Sequence, residues 1–515
     1  MSPLSRQSAG AIAAAVSSGR TTAYAVAQET LSRLEAYDAV QPQVWISRAG
    51  ANEILAAARV VDERVAAGED LRLAGVPFAV KDNIDVQGFE TTAACPAFAY
   101  TPETSATAVV KLLEAGAICV GKTNLDQFAT GLVGTRSPYG VPRNAYNRAY
   151  VSGGSSSGSA VAVAAGLVPF ALGTDTAGSG RVPAAFNHLV GLKPSKGRWS
   201  TSGLVPACRT LDCITVFTDE VANARLVDGV IAGFDPVDAY SRDLPDRHLR
   251  PRRIGVPKSD QQVWFGDAES AFLYQRALDV LRTESEVVEL DIGFLNEAAA
   301  LLYSGPWVAE RAAAIAELLT NDPGSLDDTV RAVVSPGRDI RATDLFNGIY
   351  RLAALQRRAE EMWQSVDMLA FPTTGTTYRV AELLAAPVAL NSNLGAYTNF
   401  VNLLDMAAIA VPAGARDNDT GFGITLIGPA GTDLALMDAA ENYLAIADLP
   451  APPPLDLEGK MEKVKLAVVG AHLKDMPLHW QLTSRDAEFV GAFQTAPTYR
   501  CLLYTSPSPR DRQKS

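Results

Sequence analysis

The chain has 515 residues, of which 48% are hydrophobic and 20% are charged, a composition typical of globular proteins with a large buried core. Its formal net charge of −12 argues against nucleic acid or an anionic membrane surface as a partner. No apolar run reaches the roughly 18 residues of a membrane-spanning helix, and five scattered cysteines are typical of reduced thiols in a cytoplasmic protein.

Helical periodicity is clear over 51–67, where Ile54, Leu55, Ala58 and Val61 share one face. Similar spacing and cap residues predict further helices along the chain. In chain order, the predicted helices are two within 8–37 with Thr21 or Thr22 capping the second, then 51–67, 105–114, one beginning at Thr123, one within 160–165, one just after Ser179, then 221–232, 270–282, 296–319, 340–366 and one beginning at Asn399.

Short apolar runs bounded by glycine or proline predict strands between these helices. Alternating strands and helices predict an α/β fold, with a mixed or parallel β-sheet covered by helices on both faces. In chain order, the predicted strands lie at 76–80, 117–121 and 167–172, just before Lys193, at 253–257, at the start of 368–378, in the second half of 399–414 and at 421–429.

A proline-rich stretch near the C-terminus predicts the domain boundaries. The run LPAPPPL marks a linker over 449–460, which follows a main domain over 1–448. Residues 461–500 begin a β-rich unit that is too short to bury a stable core alone, so we expect a truncated domain. Residues 501–515 do not continue its pattern and are set apart as a foreign-looking tail.

Two glycine- and serine-rich loops carry the most informative motifs of the chain. The loop GGSSSGS contains Ser155, and the loop GTDTAGSGR contains Ser179. A third motif, GVPFAVKDNID, contains Lys81 at the end of a predicted strand. The carboxyl ends of strands in open α/β sheets are where ligands bind, so we expect a site that includes these loops.

The three motifs, in this order and at this spacing, resemble the amidase signature family, whose members hydrolyse carboxamides without a Ser-His-Asp triad. The resemblance covers roughly residues 8–450 and implies the amidase signature fold. It also implies a catalytic Ser-Ser-Lys triad made of Lys81, Ser155 and Ser179, with no metal and no cofactor. The separate Ser-His-Asp hypothesis is poor, because His188 is the only histidine near the loops and leads into a buried strand.

Chemistry supports the same roles for these residues. Ser179 would be the nucleophile, and the backbone N–H groups of Thr176, Ala177 and Gly178 before a helix would stabilise an oxyanion. Lys81 would act as the base through Ser155. To do so it must be neutral, and burial would lower its ordinary pKa of about 10.4.

Each residue taken alone has a simpler interpretation. An isolated Ser179 is an N-cap of a helix, and an isolated Lys81 is a surface lysine paired with Asp82 or Asp85. The loop of Ser155 is a flexible linker or an anion-binding loop, although no Gly-Lys-Ser/Thr follows to make it a Walker loop. The combination of all three residues favours the catalytic interpretation.

Other segments resemble one subgroup, the allophanate hydrolases: TAGSGR, VPACRTLDCITVF, GFGITLIGPA and VVGAHLKDMPLHWQL. The resemblance implies that Tyr303 and Arg311, eight residues apart on one helix, bind the substrate. An arginine suits a small substrate with a carboxylate, which it can hold with two hydrogen bonds. The alternative for Arg311 is a surface ion pair with Glu310 or Glu317.

The subgroup resemblance implies a reaction and an assembly. The reaction is hydrolysis of the amide of allophanate (urea-1-carboxylate) to ammonia and N-carboxycarbamate in urea and nitrogen catabolism, by a homodimer. The enzymatic second step, a decarboxylation, would be absent with the truncated domain. Two alternatives stay open: another amidase, such as a small-molecule amidase or the A-type subunit of glutamyl-tRNA amidotransferase, and a scaffold without catalytic activity.

Overall fold

A computed structural model describes residues 8–458, which all belong to the first of two units of the chain, Met1–Lys460. The predicted unit at 461–500, the tail at 501–515 and the last two linker residues lie outside the described residues. Among the described residues, no helix is long and apolar enough to cross a membrane.

The centre of the described part is one sheet of eleven strands. The strands are β1 Trp45–Arg48, β2 Pro77–Lys81, β3 Ile118–Thr123, β4 Phe170–Asp175, β5 Val190–Lys193, β6 Cys213–Thr218, β7 Arg253–Pro257, β8 Glu286–Leu290, β9 Met368–Pro372, β10 Met406–Ala415 and β11 Gly421–Pro429.

The strand order is β1-β3-β2-β4-β6-β5-β10-β11-β9-β7-β8. The pairs β2–β3, β2–β4, β7–β8 and β7–β9 are parallel, and the other neighbours are antiparallel. The sheet is therefore mixed. Because β2 and β4 are parallel neighbours, the ends of both strands reach the same edge of the sheet.

Seventeen α-helices surround the sheet in the described range 8–458. They are α1 Ala9–Ser17, α2 Ala23–Asp38, α3 Ala51–Ala66, α4 Thr107–Glu114, α5 Ser157–Ala164, α6 Val182–Phe186, α7 Val221–Ile231, α8 Ala268–Leu281, α9 Gly293–Tyr303, α10 Trp307–Ala314, α11 Ala316–Asn321, α12 Asp328–Val334, α13 Ala342–Met362, α14 Val380–Ala385, α15 Ala389–Leu394, α16 Phe400–Leu403 and α17 Asp433–Ala447.

Helices cover both faces of the sheet, as strand β9 illustrates. Met368 and Ala370 belong to a core that includes residues of α8 and α17, whereas Leu369 and Phe371 belong to a core that includes residues of α9, α13 and α16. Successive side chains of a strand point to opposite faces, so these two cores lie on opposite sides of the sheet.

Helix α5 is buried along its whole length. Its alanines, valines and small polar residues leave no charged face, which is typical of a helix enclosed by other elements. The small side chains let the loop before the helix approach the ends of β2 and β4. The Ala/Val-rich sequence thus positions the first serine loop at this edge of the sheet.

Two predicted helices differ from the structure. No helix begins at Thr123, because β3 continues through this residue and a loop with one short 3-10 turn at Gln127–Ala129 follows. The predicted helix over 296–319 is three helices, α9 to α11. Its first break lies at 304–306, where Pro306 has no backbone N–H to continue the hydrogen bonds of the helix.

Candidate active site

The three residues of the predicted triad lie at ends of neighbouring elements. Lys81 is the last residue of β2, Ser155 lies just before α5, and Ser179 lies between β4 and α6. The parallel pairing of β2 with β4 brings Lys81 near the end of β4. The fold therefore collects residues that are far apart in the sequence at one edge of the sheet.

Lys81 is fully buried and contacts hydroxyl groups rather than a carboxylate. Its Nζ lies 2.7 Å from Ser155 Oγ and 2.6 Å from Thr174 Oγ1. Burial lowers the pKa of Lys81 from 10.5 to about 7, although the negative charges of Asp126, Asp212 and Asp175 oppose this shift. Near neutral pH, a large fraction of Lys81 is thus uncharged and able to accept a proton.

The alternative of a surface lysine paired with Asp82 does not describe Lys81. Asp82 instead pairs with Lys122, whose Nζ lies 3.2 Å from Asp82 Oδ1, and both side chains are fully buried. The other Asp82 oxygen accepts hydrogen bonds from the N–H and the hydroxyl of Thr92. Asp85 accepts hydrogen bonds from the hydroxyls of Thr91 and Tyr100.

Ser155 is held by its backbone as well as by Lys81. The Gly154–Ser155 peptide bond is cis, and the Ser155 carbonyl accepts a hydrogen bond from the N–H of Asp126 at 3.0 Å. A side chain at Gly154 would overlap Asp126, so glycine is required at this close approach. The loop of Ser155 is a packed element rather than a flexible linker.

Ser179 is buried but is not joined to the Lys81–Ser155 pair in this conformation. Its hydroxyl points to the carbonyl of Gly131 at 3.4 Å, and the described residues contain no hydrogen bond between Ser179 and Ser155. The structure brings together Lys81 and Ser155 directly. A proton path from Ser179 requires the hydroxyl of Ser179 to turn towards Ser155.

The three predicted oxyanion donors have different environments. The Gly178 N–H donates to Asp175 Oδ1 at 2.8 Å, so this donor is already engaged. The N–H groups of Thr176 and Ala177 make no hydrogen bond within the described part of the chain. Gly178 has a φ of 131°, and a side chain there would overlap Thr398, so this turn requires glycine. Two of the three predicted donors are therefore free.

A buried ion pair supports the loop that contains Ser179. Arg181 holds Asp175 with two hydrogen bonds of 2.9 and 3.0 Å, and both side chains are fully buried. Burial works to raise the pKa of Asp175, but the charge and hydrogen bonds of Arg181 outweigh it and the pKa is lowered. The Asp175 carboxylate also accepts the N–H groups of Gly178 and Gly180, on both sides of Ser179.

Asp212 is a second buried carboxylate that supports this loop. It accepts hydrogen bonds from Thr176 Oγ1 and from the N–H groups of Ala207 and Cys208. Burial raises the pKa of Asp212 to about 6, although these hydrogen bonds and the charge of Arg311 oppose the shift. The Asp212 carboxylate therefore links Thr176, in the loop of Ser179, to the segment before β6.

Tyr303 and Arg311 do contact each other, but they do not share one helix. Tyr303 ends α9 and Arg311 lies in α10. The break at Pro306 lets the two side chains meet, with Arg311 Nη2 3.1 Å from the Tyr303 hydroxyl and the guanidinium over the Tyr303 ring. The predicted single helix is wrong because proline interrupts it, and the predicted role of the two residues in substrate binding stays a prediction.

Arg311 is buried and contacts no acidic side chain among the described residues. Only 2% of its surface is exposed, and its other contact is Nη1 to Thr130 Oγ1 at 3.1 Å. Its Nε is buried without a hydrogen-bond partner. The alternative ion pair with Glu310 is absent, because that carboxylate instead accepts the N–H and the hydroxyl of Thr210.

Sequence reasoning missed the loop over 126–136 that connects these parts. The carboxylate of Asp126 accepts the N–H groups of Val133, Gly134 and Arg136, which folds the loop around one side chain. Glycines at 131 and 134 with positive φ were the signal for such a tight loop. The prediction of a helix from Thr123 concealed it.

The His188 ring packs against Tyr146 and lies 3.2 Å from the Asp419 carbonyl. Over 8–458, no group of three or more histidine, cysteine, aspartate or glutamate side chains could hold a metal ion.

Comparisons with known proteins show which families the chain resembles. A family model described as "Amidase" matches residues 28–437, and one described as "Allophanate hydrolase C-terminal domain" matches 464–511. The second match extends into 501–515, and the predicted domain bounds stay a prediction.

Three similar proteins illustrate the likeness. Urea amidolyase of Lachancea kluyveri is 44% identical over 85% of this chain, which spans only 25% of that protein. The A-type subunit of glutamyl-tRNA(Gln) amidotransferase from Deinococcus deserti is 35% identical over 84% of this chain and 95% of that protein. The structure of Kluyveromyces lactis allophanate hydrolase has a TM-score of 0.80 and 40% identity, covering 90% of this chain and 80% of that one. These likenesses confirm the predicted fold class.

Proposed function

The chain belongs to the amidase signature family, and we propose that it hydrolyses the terminal amide of allophanate (urea-1-carboxylate). The products would be ammonia and N-carboxycarbamate, within urea and nitrogen catabolism. Ser179 would be the nucleophile and Lys81 the base, acting through Ser155. Tyr303 and Arg311 would bind the substrate.

One observation carries the choice of substrate: Arg311 is a buried cation that contacts no carboxylate among the described residues. A guanidinium cannot lose its proton in a protein, so a buried one normally has an anionic partner. Its Nε has no hydrogen-bond partner and its two contacts are neutral hydroxyls. A substrate carboxylate would complete this environment, and allophanate is an amide that carries one.

The first half of the proposed reaction forms an ester. Neutral Lys81 accepts the proton of Ser155 as Ser155 accepts that of Ser179, and Ser179 Oγ attacks the terminal amide carbon. The N–H groups of Thr176 and Ala177 stabilise the negative oxygen. The carbon–nitrogen bond then breaks, and ammonia leaves with the proton that Lys81 returns through Ser155.

The second half regenerates the enzyme. Water attacks the ester carbon and gives its proton through Ser155 to Lys81. The bond from this carbon to Ser179 Oγ breaks, Ser179 regains a proton, and N-carboxycarbamate leaves. The lowered pKa of Lys81 supports both halves, because its amine must alternate between neutral and charged forms near neutral pH.

A second candidate is the glutaminase function of an A-type amidotransferase subunit. The observation in its favour is that the chain matches 95% of the length of that relative, although it also covers 80% of the allophanate hydrolase structure. Glutamine also carries a carboxylate, which Arg311 could hold. Release of ammonia from glutamine but not from allophanate by the isolated chain would favour this candidate.

The deciding experiment measures ammonia release from allophanate, biuret, malonamide, acetamide and glutamine by the wild type and by Ser179→Ala. We expect a strong preference for allophanate and its loss in the variant. Activity on neutral amides but not on allophanate would keep the triad chemistry and exclude the carboxylate-binding role of Arg311. No ammonia from any amide would exclude the proposed function.

The family resemblance alone also suggests a homodimer in the cytoplasm. Sedimentation of the purified chain tests the assembly, and a monomer at micromolar concentration would exclude it.

A further inference from the structure

One short loop contacts both Arg311 and Ser179. We name residues 126–136 the bridging loop. Within it, the hydroxyl of Thr130 accepts a hydrogen bond from Arg311 Nη1 at 3.1 Å. The carbonyl of the next residue, Gly131, accepts the hydroxyl of Ser179 at 3.4 Å. The substrate-binding arginine and the nucleophile are thus held by consecutive residues.

The hydroxyl of Thr130 has a defined direction. Its own proton goes to the carbonyl of Phe128 at 3.2 Å, so a lone pair of the oxygen faces Arg311. Thr130 is 2% exposed, and water does not compete for this contact. A hydroxyl oriented in this way acts as a fixed acceptor for one end of the guanidinium.

The rest of the bridging loop holds Thr130 in place. Asp126 accepts three backbone N–H groups within the loop. Arg136 donates to the Thr130 carbonyl at 2.8 Å and to the Pro387 carbonyl at 2.9 Å. The loop is therefore fastened by charge-assisted hydrogen bonds at both ends, and Thr130 cannot easily follow a movement of Arg311.

We propose that Thr130 is a positioning residue that orients Arg311 relative to Ser179 and thereby sets the preference for anionic over neutral amides. This inference rests on the proposed function, since it assumes that Arg311 binds a substrate carboxylate. An arginine side chain has many rotamers, and two carboxylate hydrogen bonds require one of them. Tyr303 holds Nη2 and Thr130 holds Nη1, which leaves Nε without a protein partner.

The test removes the hydroxyl with little change of shape, in Thr130→Val, and retains it in Thr130→Ser. Binding of malonate, a dicarboxylate without a scissile amide, is measured by calorimetry. The values of kcat and KM are measured for allophanate and for neutral biuret. Thr30→Val is the matched control, because Thr30 is also buried and its hydroxyl donates to a backbone carbonyl, that of Val26. Thr30 lies in α2, far from Thr130 in the sequence.

We expect Thr130→Val to raise the Kd of malonate and the KM of allophanate at least tenfold, with kcat/KM for biuret within threefold of wild type. Thr130→Ser and Thr30→Val should stay within threefold on every measure. In an Arg311→Met background, adding Thr130→Val should change malonate binding less than twofold. If Thr130→Val does not fold, Thr130→Ala takes its place in the same comparison.

If Thr130→Val lowered kcat/KM equally for allophanate and biuret, the role of Thr130 would be overturned while the proposed function stayed intact. The same holds if Thr130→Val weakened malonate binding as much in the Arg311→Met background as in wild type. Wild type that binds malonate but releases no ammonia from allophanate would overturn the proposed function, and the malonate measurements would still decide the role of Thr130. Wild type that does not bind malonate would overturn the positioning role.

Discussion

Two buried lysines on neighbouring strands have opposite environments. Lys122 of β3 lies 3.2 Å from the carboxylate of Asp82, and its Nζ also donates to the Thr91 hydroxyl and the Glu90 carbonyl. Within residues 8–458, the Nζ hydrogen bonds of Lys81 of β2 go only to the hydroxyls of Ser155 and Thr174. Both side chains are fully buried, so burial alone does not distinguish them.

Two buried arginines repeat the contrast. Arg181 forms a doubly hydrogen-bonded pair with Asp175, whereas Arg311 contacts two hydroxyls and leaves Nε unpaired. The paired cations fasten the loops around them. An unpaired lysine can give up its proton, and an unpaired arginine can only bind an anion. Of these four cations, the two without a carboxylate in contact are the candidates for chemistry, although Arg136 shows that a buried arginine bonded only to carbonyls can also hold a loop.

The largest expected effect is on catalysis by Lys81. Lys81→Met should lower kcat for ammonia release by on the order of 10⁴-fold, because the only buried amine beside Ser155 is lost. The thermal midpoint should not fall, since no carboxylate loses a partner. Lys122→Met is the matched variant and should lower the thermal midpoint, because Asp82 would be left buried alone. A comparable loss of kcat in Lys81→Met and Lys122→Met would contradict the distinction between an unpaired catalytic lysine and a paired structural one.

The paired arginine should matter most for stability. Arg181→Met leaves the Asp175 carboxylate buried without a cation, which costs about 3–5 kcal/mol. In a chain of this size we expect the thermal midpoint to fall by roughly 5 °C. Arg311→Met should lower the midpoint less than Arg181→Met does, since its hydrogen bonds go to neutral hydroxyls and its charge acts on Asp212 without a direct contact. Equal losses in scanning calorimetry would show that Arg311 is structural.

The unpaired arginine should matter for substrate choice. Arg311→Met should raise the KM for allophanate by about 100-fold, because a charge-assisted contact contributes roughly 1.5–3 kcal/mol. Hydrolysis of biuret should change little. Steady-state kinetics on both amides check this, and a parallel loss on biuret would contradict a role in carboxylate binding.

The smallest expected effect is on the pH profile. The pKa of Lys81 is lowered to about 7, so the amine is protonated below this pH and cannot accept a proton. The value of kcat/KM should therefore fall about tenfold for each pH unit below 7. Asp212, with a pKa raised to about 6, titrates nearby. In Asp212→Asn, a limb that belongs to Lys81 should move below pH 7, because the negative charge of Asp212 that raises the pKa of Lys81 is lost, whereas a limb that belongs to Asp212 should disappear.

Local sequence predicts much of this fold. The N-cap role of Thr22, whose side chain accepts the N–H of Ala25, follows from residue type and position. Strands β2 and β11 follow from apolar runs bounded by glycine. Strand β8 was not predicted, because its burial is partial and acidic residues interrupt its apolar residues. Short helices such as α14 and α15 depend on packing rather than on helical periodicity.

The candidate site was predictable only in part. The motifs place Lys81 and Ser155 in one site, and the structure brings their side chains within 2.7 Å. The engaged N–H of Gly178 depends on the carboxylate of Asp175, and the contact of Thr130 with Arg311 spans 181 positions. Such contacts produce no local sequence pattern, because the residues next to one partner do not depend on the identity or position of the other.

Residue types and their spacing are sufficient to indicate an α/β fold with two serine loops, and the resemblance of three motifs indicates the amidase signature family. Which cations stay paired is decided by tertiary structure alone. Lys81 is the last residue of β2 and Lys122 the second-last of β3. Arg181 directly precedes the short helix α6, and Arg311 lies in the short helix α10. Only the folded chain brings Asp82 to one lysine and Asp175 to one arginine, because a carboxylate neutralises a cation through distance and burial, which a linear sequence does not contain.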